Sequence, residues 1–495
     1  VVAGLSAYAA WQLMASAGDK KIKDSAGIYA MACGVFIYTA LGFVLDSAIL
    51  TVGMALMVLA ISFIWERVPF RLLRHFTLAL ATVVLVRLSF NPYIFDYELF
   101  DWFGRHWVLY GFGISAVAFF LAAKQFRKSA DDELVTALES GALVFAVLLV
   151  TYEVRIFVEG SISALNYGFL EQSVQSASWL TSAYGLMLRN AKAPRFYAKW
   201  GARALLTVAT AQVLLLQVLY NNPVITGDAI KGYFPFDNLF LAYAAPAMLL
   251  CFIVPKLPAI GFAKLSRYAA DFVAALLLIY VTLEIRQLFQ GRRIDLLHDS
   301  NLELYVTTLA WFALAGILAY WKWFRLEEVL RPSAKWVAAI ALLMVFAGHI
   351  GIFNPVLTNL AVPGTVIFNV MLLGFVAPAI GLALIARKSE GTILEPYRDY
   401  LGIAAYAIGF AYVTLEVRRF FQGPFIHAGS VSDAEYYGYS LIWLAYALAA
   451  LGVGMWLQRS AIRHAALAVL VLVVLKVFLS DMAGLGGLYR VASFM

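Results

Sequence analysis

A six-residue signature occurs three times in this chain at an almost constant interval. It reads Val-Thr-Tyr-Glu-Val-Arg at 150–155, Val-Thr-Leu-Glu-Ile-Arg at 281–286 and Val-Thr-Leu-Glu-Val-Arg at 413–418. The three glutamates, Glu153, Glu284 and Glu416, are therefore 131 and 132 residues apart. Self-similarity at a fixed long period predicts that one structural unit is copied along the chain, because each copy needs the same fold and the same neighbours.

The composition indicates what kind of unit is copied. The chain is 63% hydrophobic and only 14% charged, whereas a soluble domain is about half apolar and about a quarter charged. Apolar runs long enough to cross the hydrocarbon core of a bilayer recur throughout the chain. The ten-residue alternation of a transmembrane β-barrel is absent. The sequence therefore predicts an all-α, polytopic transmembrane helical protein of about 15–16 helices. The predicted spans are 1–16, 28–45, 47–65, 73–90, 104–123, 135–158, 171–189, 203–219, 236–254, 269–289, 302–322, 335–352, 367–386, 400–421, 435–457 and 464–480.

Each copy is predicted to hold four helices, which we call a, b, c and d. Helix a ends at an Asn-Pro pair, since proline disfavours helix at the residue before it. Helix c ends with the signature and a following glycine. Helix d begins near a glutamate and carries a tryptophan eight residues later. These landmarks are Asn91-Pro92, Asn222-Pro223 and Asn354-Pro355; Gly160, Gly291 and Gly423; Glu171, Glu303 and Glu435; and Trp179, Trp311 and Trp443.

The landmarks divide the chain into three parallel repeats with partial units on either side. An even number of helices returns the chain to the same side, so every copy has the same orientation and the repeats are not inverted. The predicted divisions are 1–70 (N-terminal segments with a degenerate c–d pair), 71–201, 202–333, 334–462, and 463–495 (a partial fourth repeat). We refer to the three complete units as the first, second and third copies.

The basic residues predict the orientation in the membrane. Lysine and arginine concentrate in the b–c and d–a loops, while the opposite loops are acidic or neutral except for Arg292 and Arg293. By the positive-inside rule, the b–c and d–a loops are cytoplasmic. The signature ends of the helices then face the periplasm of a bacterial inner membrane. This distribution accounts for the net charge of +7, and a nucleic-acid-binding role is excluded because no basic face is formed.

The recurring charged and aromatic residues form the candidate site. Residues i and i+2 of a helix do not face each other, so each signature Glu and Arg is expected to contact neighbouring helices, with the helix-d Glu as the partner of the Arg. Buried charges near a membrane are paired or functional. The set either clamps helices together or binds a substrate, with the Trp holding a sugar ring or a lipid headgroup. The candidates are Glu153, Arg155, Glu171, Trp179, Glu284, Arg286, Glu303, Trp311, Glu416, Arg418, Glu435 and Trp443.

Other chemistry has weaker support in the sequence. The loop 91–101 of the first copy carries Asp96, Glu98 and Asp101, which is compatible with acid–base chemistry or cation binding as well as with a solvated loop. The six histidines and two cysteines show no metal-ligand spacing, Cys33 and Cys251 lie in apolar segments, and no cofactor is predicted. Charge near the predicted midplane is scarce, which disfavours a proton- or sodium-coupled carrier.

The signature and the C-terminal tail resemble a known family. The recurrent Leu-Glu-Val-Arg-x-x-Phe-x-Gly and the tail from Ser480 to Phe494 are similar to the large bacterial predicted inner-membrane proteins of domain of unknown function twenty-three thirty-nine. The resemblance covers most of the chain and implies a further apolar helix after the tail. We also expect preceding segments, because Val1 opens within an apolar stretch. No activity or catalytic residue follows from the resemblance.

Three functions remain open from the sequence. The first is envelope-related handling or transport of a lipid or amphipathic substrate at an outward-facing polar site. The second is a non-enzymatic scaffold that docks a periplasmic or membrane protein. The third is a membrane-embedded transferase that uses the loop near Asp101. Three equivalent copies disfavour an enzyme, because catalysis needs only one site. Membrane lipids are the expected partners in each case.

Overall fold

The computed structural model describes residues 1–15, 20–44, 47–67, 69, 71–90, 106–163, 167–295, 300–320, 327–358, 360–389, 395–427 and 429–481. These residues are almost entirely helical. The α-helices, in chain order, are α1 (Val2–Ala15), α2 (Lys20–Val44), α3 (Ser47–Arg67), α4 (Arg71–Phe90), α5 (Trp107–Arg127), α6 (Glu133–Glu159), α7 (Phe169–Lys192), α8 (Phe196–Gln212), α9 (Pro223–Thr226), α10 (Ala245–Ile253), α11 (Ser266–Gln290), α12 (Asn301–Tyr320), α13 (Glu327–Leu343), α14 (Ala377–Lys388), α15 (Arg398–Gln422), α16 (Asp433–Trp456) and α17 (Ser460–Lys476).

Two strands, β1 (Gly232–Tyr233) and β2 (Phe236–Asp237), pair in an antiparallel hairpin. Three 3₁₀ segments complete the regular structure in the described chain, apart from the π-helices treated below, at Val254–Ile260, Ala263–Leu265 and Glu395–Tyr397.

Twelve helices in the described part of the chain are long and apolar enough to cross a membrane. The prediction of an all-α, polytopic transmembrane protein is thus confirmed. The predicted spans 1–16, 28–45, 171–189 and 367–386 are not among the twelve. Helix α1 has only 14 residues, the qualifying apolar part of α2 is short, and α14 has only 12 residues after a π-helical turn. Helix α7 is instead long but rich in polar residues.

Local signals set the ends of a signature helix, α6, and of a helix at the predicted position d, α16. Helix α6 begins after Asp132, whose Oδ1 accepts from the backbone N–H of Val135 at 3.3 Å, and it ends at Gly160 with φ +72°. Helix α16 begins after Ser432, whose hydroxyl accepts from the N–H of Glu435 at 3.2 Å. Side-chain acceptors at the N-cap and a left-handed glycine at the C-terminus satisfy groups that the helix itself leaves unpaired.

The chain divides into two compact units. The first is Val1–Thr226 with Lys231–Ala269, and the second is Gly227–Ile230 with Ala270–Met495. In the first unit, residues of α3, α4, α5 and α6 form one core, in which Phe119 and Phe145 pack edge to face at 5.0 Å. In the second unit, the core lies around Tyr305 of α12 and Ile408 of α15. The repeat divisions drawn from the sequence stay a prediction.

Five π-helical segments interrupt the α-helices of the described chain. Three follow helices at the predicted position a, where they replace the last turns of α8, α13 and α17. Two precede helices at the predicted position b, α10 and α14. π-Helices are rare and concentrate at functional sites, and the sequence analysis did not foresee them. They are Val213–Tyr220, Met344–Ile352 and Val477–Asp481, and then Phe240–Ala244 and Leu372–Val376.

Candidate functional site

The signature arginine of the third copy joins two helices and a loop. Arg418 on α15 donates from Nη1 to Oε1 of Glu435 on α16 at 2.9 Å, and from Nε to the carbonyl oxygen of Ile426 at 2.7 Å. Glu435 is fully buried. Its oxygens also accept from Nε2 of Gln422 at 2.6 Å and from the hydroxyl of Tyr439 at 2.8 Å. The charge of this buried carboxylate is thus balanced by an arginine and two further donors.

The first copy has the same arrangement. Arg155 on α6 donates from Nη1 to both oxygens of Glu171 on α7, at 3.0 and 3.3 Å, and from Nε to the carbonyl of Ile162 at 2.7 Å. Glu171 is fully buried and also accepts from Nε2 of Gln175 at 3.2 Å. The structure therefore places the signature Arg and the helix-d Glu together in both copies.

The second copy shows the loop contact and a related glutamine contact. Arg286 donates from Nε to the carbonyl of Ile294 at 2.6 Å. Gln290 donates from Nε2 to both oxygens of the buried Glu303, at 3.3 and 3.1 Å. Gln290 holds the same position relative to the signature as Gln422 does in the third copy.

The three tryptophans make one contact, repeated at the same distance. In each copy the indole N–H donates to the hydroxyl of the signature threonine on helix c. The pairs are Trp179 with Thr151, Trp311 with Thr282, and Trp443 with Thr414, each at 2.9 Å. Because the N–H of each indole is engaged between helices, this geometry supports a packing role for these side chains.

Two of the signature glutamates contact residues other than the arginine of their own signature. Glu416 accepts from the N–H of Ile367 at 2.9 Å and from Nδ2 of Asn369 at 2.6 Å, in the segment that precedes α14. Glu153 lies 3.5 Å from Nδ1 of His106, the residue before α5. Glu284 is buried on α11. The signature Arg of the first and third copies thus contacts helix d. In the third copy the signature Glu contacts the segment that leads into helix b.

A further polar contact, which the sequence analysis missed, joins helix d to the π-helices. Ser176, Thr308 and Ser440 each lie five residues after the helix-d Glu. Gln217 donates from Nε2 to Ser176 at 2.6 Å, Nε2 of His349 lies 3.0 Å from Thr308, and Ser440 donates to Asp481 at 2.6 Å. All six side chains are buried. The available signal was a polar residue every 132 positions, hidden because its chemical type changes in each copy.

The surroundings of this contact differ between the copies. In the first copy it lies in an amide-rich cluster, where the Tyr167 hydroxyl is 2.6 Å from Oε1 of Gln175 and 2.9 Å from Oε1 of Gln212. Burial and the nearby Glu171 charge raise the pKa of Tyr167 to about 12, against the opposing effects of Gln212 and Arg155.

In the third copy an ion pair takes the place of that cluster. Nζ of Lys476 donates to Asp481 at 2.7 Å and to Ser440 at 2.6 Å. In the part of the second copy that the structure describes, the imidazole of His349 lies between Thr308 and Gly374. The carbonyl oxygen of Gly374 is 2.9 Å from Nδ1 of His349. The same point in the fold therefore carries an amide, an imidazole or an ion pair.

An apolar groove of about 570 Å³ lies within the second unit, between α12, α13 and α14. Its walls come from apolar and small side chains, among them Phe312, Gly316 and Gly381, and Arg331 and Lys335 of α13 also line it. The volume is that of a typical small-molecule pocket, about 300–1,000 Å³.

Metal chemistry receives no support from the described residues. No group of three or more His, Cys, Asp or Glu side chains among them is placed to hold a metal ion. The acidic loop with Asp96, Glu98 and Asp101 lies outside the described residues.

Comparison with known proteins identifies the family. The family model described as "Predicted membrane protein (DUF2339)" matches residues 1–331 and 317–495, and so the whole chain. The chain belongs to the DUF2339 family. No curated protein and no solved structure matches it. The resemblance seen in the signature and tail is therefore confirmed, and the membership establishes a membrane protein of unknown function.

Proposed function

We propose that this DUF2339 protein binds an anionic amphiphile, a molecule with an apolar chain and an acidic headgroup, in the groove between α12, α13 and α14. The observation that carries the proposal is the combination of a long apolar groove with two basic side chains on one of its walls. An apolar chain and a negative headgroup are the two features that such a groove can recognise together.

The walls of the groove fit an extended apolar chain. Leu309 and Tyr320 of α12 both line it, and the residues between them span about 16 Å along the helix axis at about 1.5 Å per residue. Pro378 and Ile385 of α14 form the facing wall. Since the small residues on these walls leave the space between the helices unfilled, an acyl chain of moderate length has room to lie along the groove.

The headgroup would lie at the basic end. Arg331 and Lys335 are one helical turn apart on α13, so they project from the same face, and both are exposed. An arginine and a lysine together suit a phosphate or a carboxylate, because the guanidinium forms paired hydrogen bonds and the ammonium adds a second positive charge. The same two groups give no reason to prefer a zwitterionic headgroup.

This proposal places the substrate elsewhere than the sequence analysis expected. The recurring Arg, Glu and Trp side chains are engaged in contacts between helices, which supports their interpretation as clamps. By the predicted orientation, the basic end of the groove is cytoplasmic. The bacterial inner membrane, the sidedness and transport itself stay predictions.

A scaffold is the second candidate, and one observation favours it. Three pairs of small residues at spacing i, i+4 line the same groove: Ala315 with Ala319, Ala334 with Ala338, and Ala377 with Gly381. Such pairs allow the close approach of another transmembrane helix. A partner helix that lies in the groove would use its apolar walls without needing Arg331 or Lys335.

Native mass spectrometry tests the proposal. The purified protein would be offered equal amounts of an anionic and a zwitterionic phospholipid with the same acyl chains. We expect the anionic lipid to bind preferentially, and R331A with K335A to reduce that preference about tenfold. The matched control is K124A with K128A at the exposed end of α5, which should leave binding unchanged.

A second variant separates the two candidate functions. Gly381 has open space where a side chain would begin, so G381L should fill the groove without disturbing its neighbours. Loss of lipid in both G381L and the double alanine variant supports amphiphile binding. Lipid binding that neither variant changes overturns it. A stoichiometric membrane protein that G381L releases and the double alanine variant retains favours the scaffold.

A further inference from the structure

Two short hairpins occupy equivalent places in the chain. The first hairpin, in the first unit, pairs Gly232–Tyr233 with Phe236–Asp237. The second hairpin (364–369), in the second unit, is closed by a bridge between Gly364 and Asn369. Corresponding residues are 132 positions apart. Each hairpin precedes a π-helical turn that leads into a helix, α10 or α14. The recurrence indicates that the hairpin is a regular part of the connection.

Both hairpins present large apolar side chains at their tips. In the first hairpin Tyr233 is 81% exposed and Phe236 is 74% exposed. In the second hairpin Ile367 is 55% exposed and Phe368 is 75% exposed. The residues between Gly232 and Asp237 and between Gly364 and Asn369 include no charged side chain. Exposed apolar clusters of this kind mark surfaces that contact something other than water.

Three side chains of α15 form hydrogen bonds with the backbone of the second hairpin. The N–H of Ile367 donates to Glu416 at 2.9 Å, and its carbonyl accepts from the hydroxyl of Tyr412 at 2.7 Å. Arg419 donates from Nη2 to the carbonyl of Gly364 at 2.6 Å. Ile367 has a φ of +72°, which a β-branched residue rarely adopts, because its side chain then meets the backbone. Such strain persists only where the surroundings impose it.

The hydrogen bonding of the second hairpin suits an apolar environment. Besides the two bonds at Ile367, the N–H of Thr365 donates to the carbonyl of Phe368 at 3.0 Å and the N–H of Val370 to that of Pro363 at 3.3 Å. Backbone groups that enter lipid must be satisfied within the protein. The tip therefore joins apolar side chains on its outside to several backbone groups that bond within the protein.

The position in the chain favours lipid over a soluble partner. The second hairpin follows the candidate span Leu330–Ile352, so it lies close to the end of a membrane-crossing helix. The exposed Ile352 at the end of that span and the exposed Leu373 just after the hairpin continue the apolar surface along the chain. Tyr and Trp concentrate at the boundary between hydrocarbon and headgroups, and Phe is common on the buried face of interfacial segments.

We infer that the tip of each hairpin inserts into the interfacial region of a lipid leaflet and anchors the connection between two helices. The second hairpin does so through Val366, Ile367 and Phe368, and the first hairpin through Tyr233, Phe234 and Phe236. This anchoring uses no charged side chain, so it requires no anionic lipid. It is therefore independent of the amphiphile groove, which needs Arg331 and Lys335.

Spin labelling in zwitterionic phosphatidylcholine vesicles tests this inference. Cys33 and Cys251 would be replaced by alanine, and a nitroxide attached to F368C or, separately, to F234C. Collisions with oxygen report a hydrocarbon environment, and collisions with a water-soluble nickel chelate report water. The matched control is S430C, at an exposed polar position in the loop after α15. This loop adjoins the second hairpin, because the N–H of Val362, just before the hairpin, donates to the carbonyl of Pro424 in the loop.

The expected result is opposite behaviour at the tip and at the control. Labels at 368 and 234 should collide with oxygen several times more often than with nickel, and the label at 430 should show the reverse. Frequent nickel collisions at 368 would place the tip in water and overturn the inference. An immobilised label that neither reagent reaches would mean that protein covers the tip, which also overturns it.

Discussion

The clamps of the first and third copies are alike in one set of contacts and different in another. Both join the signature Arg to the helix-d Glu and to a loop carbonyl, and both join the tryptophan to the signature threonine. They differ in the other donors to the buried carboxylate. Gln422 and Tyr439 bond to Glu435, whereas Gln175 bonds to Glu171 and the position of Gln422 is held by Glu159.

The comparison separates what the fold requires from what each copy is free to change. Contacts present in more than one copy hold helices c and d together. The contact with the π-helix keeps its place but changes from Gln217 with Ser176 to Asp481 with Ser440 and Lys476. We predict that this position, which keeps its geometry while its chemistry varies, is where the predicted repeats differ most in role.

Removing the arginine tests whether the two clamps differ in strength, and it should have the largest effect. Leaving a buried carboxylate without its cation costs about 3–5 kcal/mol. We expect R155A to approach that loss of unfolding free energy and R418A to lose less, since Glu435 keeps two donors, Gln422 and Tyr439. Unfolding by denaturing detergent, followed by circular dichroism, measures both. The control is the exposed R292A, and equal losses for R155A and R418A would contradict the comparison.

The signature glutamates offer a second contrast. Glu416 is buried and accepts from Ile367 and Asn369, so E416A should lose about 2–3 kcal/mol of unfolding free energy, as hydrogen bonds to charged groups do. Glu153 is partly exposed and 3.5 Å from His106, and E153A should lose less than about 1 kcal/mol.

A spin label at position 368 adds a local measurement to the glutamate variants. E416A should increase its mobility, because the N–H of Ile367 loses its acceptor. Unchanged mobility would show that Glu416 does not hold the second hairpin in place.

Exchanging one copy's residue for another's tests whether the π-helix position tolerates any polar group. H349Q places in the second copy the amide that the first copy has at Gln217. The amide can still donate to Thr308 but should not also reach the carbonyl of Gly374, which lies 2.9 Å from the other ring nitrogen. We expect a loss of about 1 kcal/mol, one hydrogen bond, and a larger loss for H349A. If H349Q loses as much as H349A, the imidazole itself is required.

The sequence was sufficient to predict features that depend on local residue patterns. It was not sufficient for features that depend on contacts between residues far apart in the chain. Long apolar runs predicted all twelve candidate spans, together with four segments that are not among them. The i, i+2 spacing of Glu and Arg predicted that Arg155 and Arg418 would contact helix d. Nothing local shows that Glu416 would bond to Ile367, 49 residues earlier. The groove depends on the separation of three helices, and the π-helices on backbone register, neither of which a residue pattern records.

The tryptophan contacts should show the smallest effect and the least difference between copies. W179F, W311F and W443F each remove one indole N–H donor to a threonine hydroxyl at 2.9 Å and keep most of the ring's packing. Each should lose about 1 kcal/mol of unfolding free energy, measured in the same detergent titration. T151V, T282V and T414V remove the acceptor from the same pairs and should give matching losses. Three equal values mean that the contact serves the fold in every copy. If one tryptophan variant instead keeps its stability and loses lipid binding, that copy uses its ring for a ligand, and the clamp interpretation fails there.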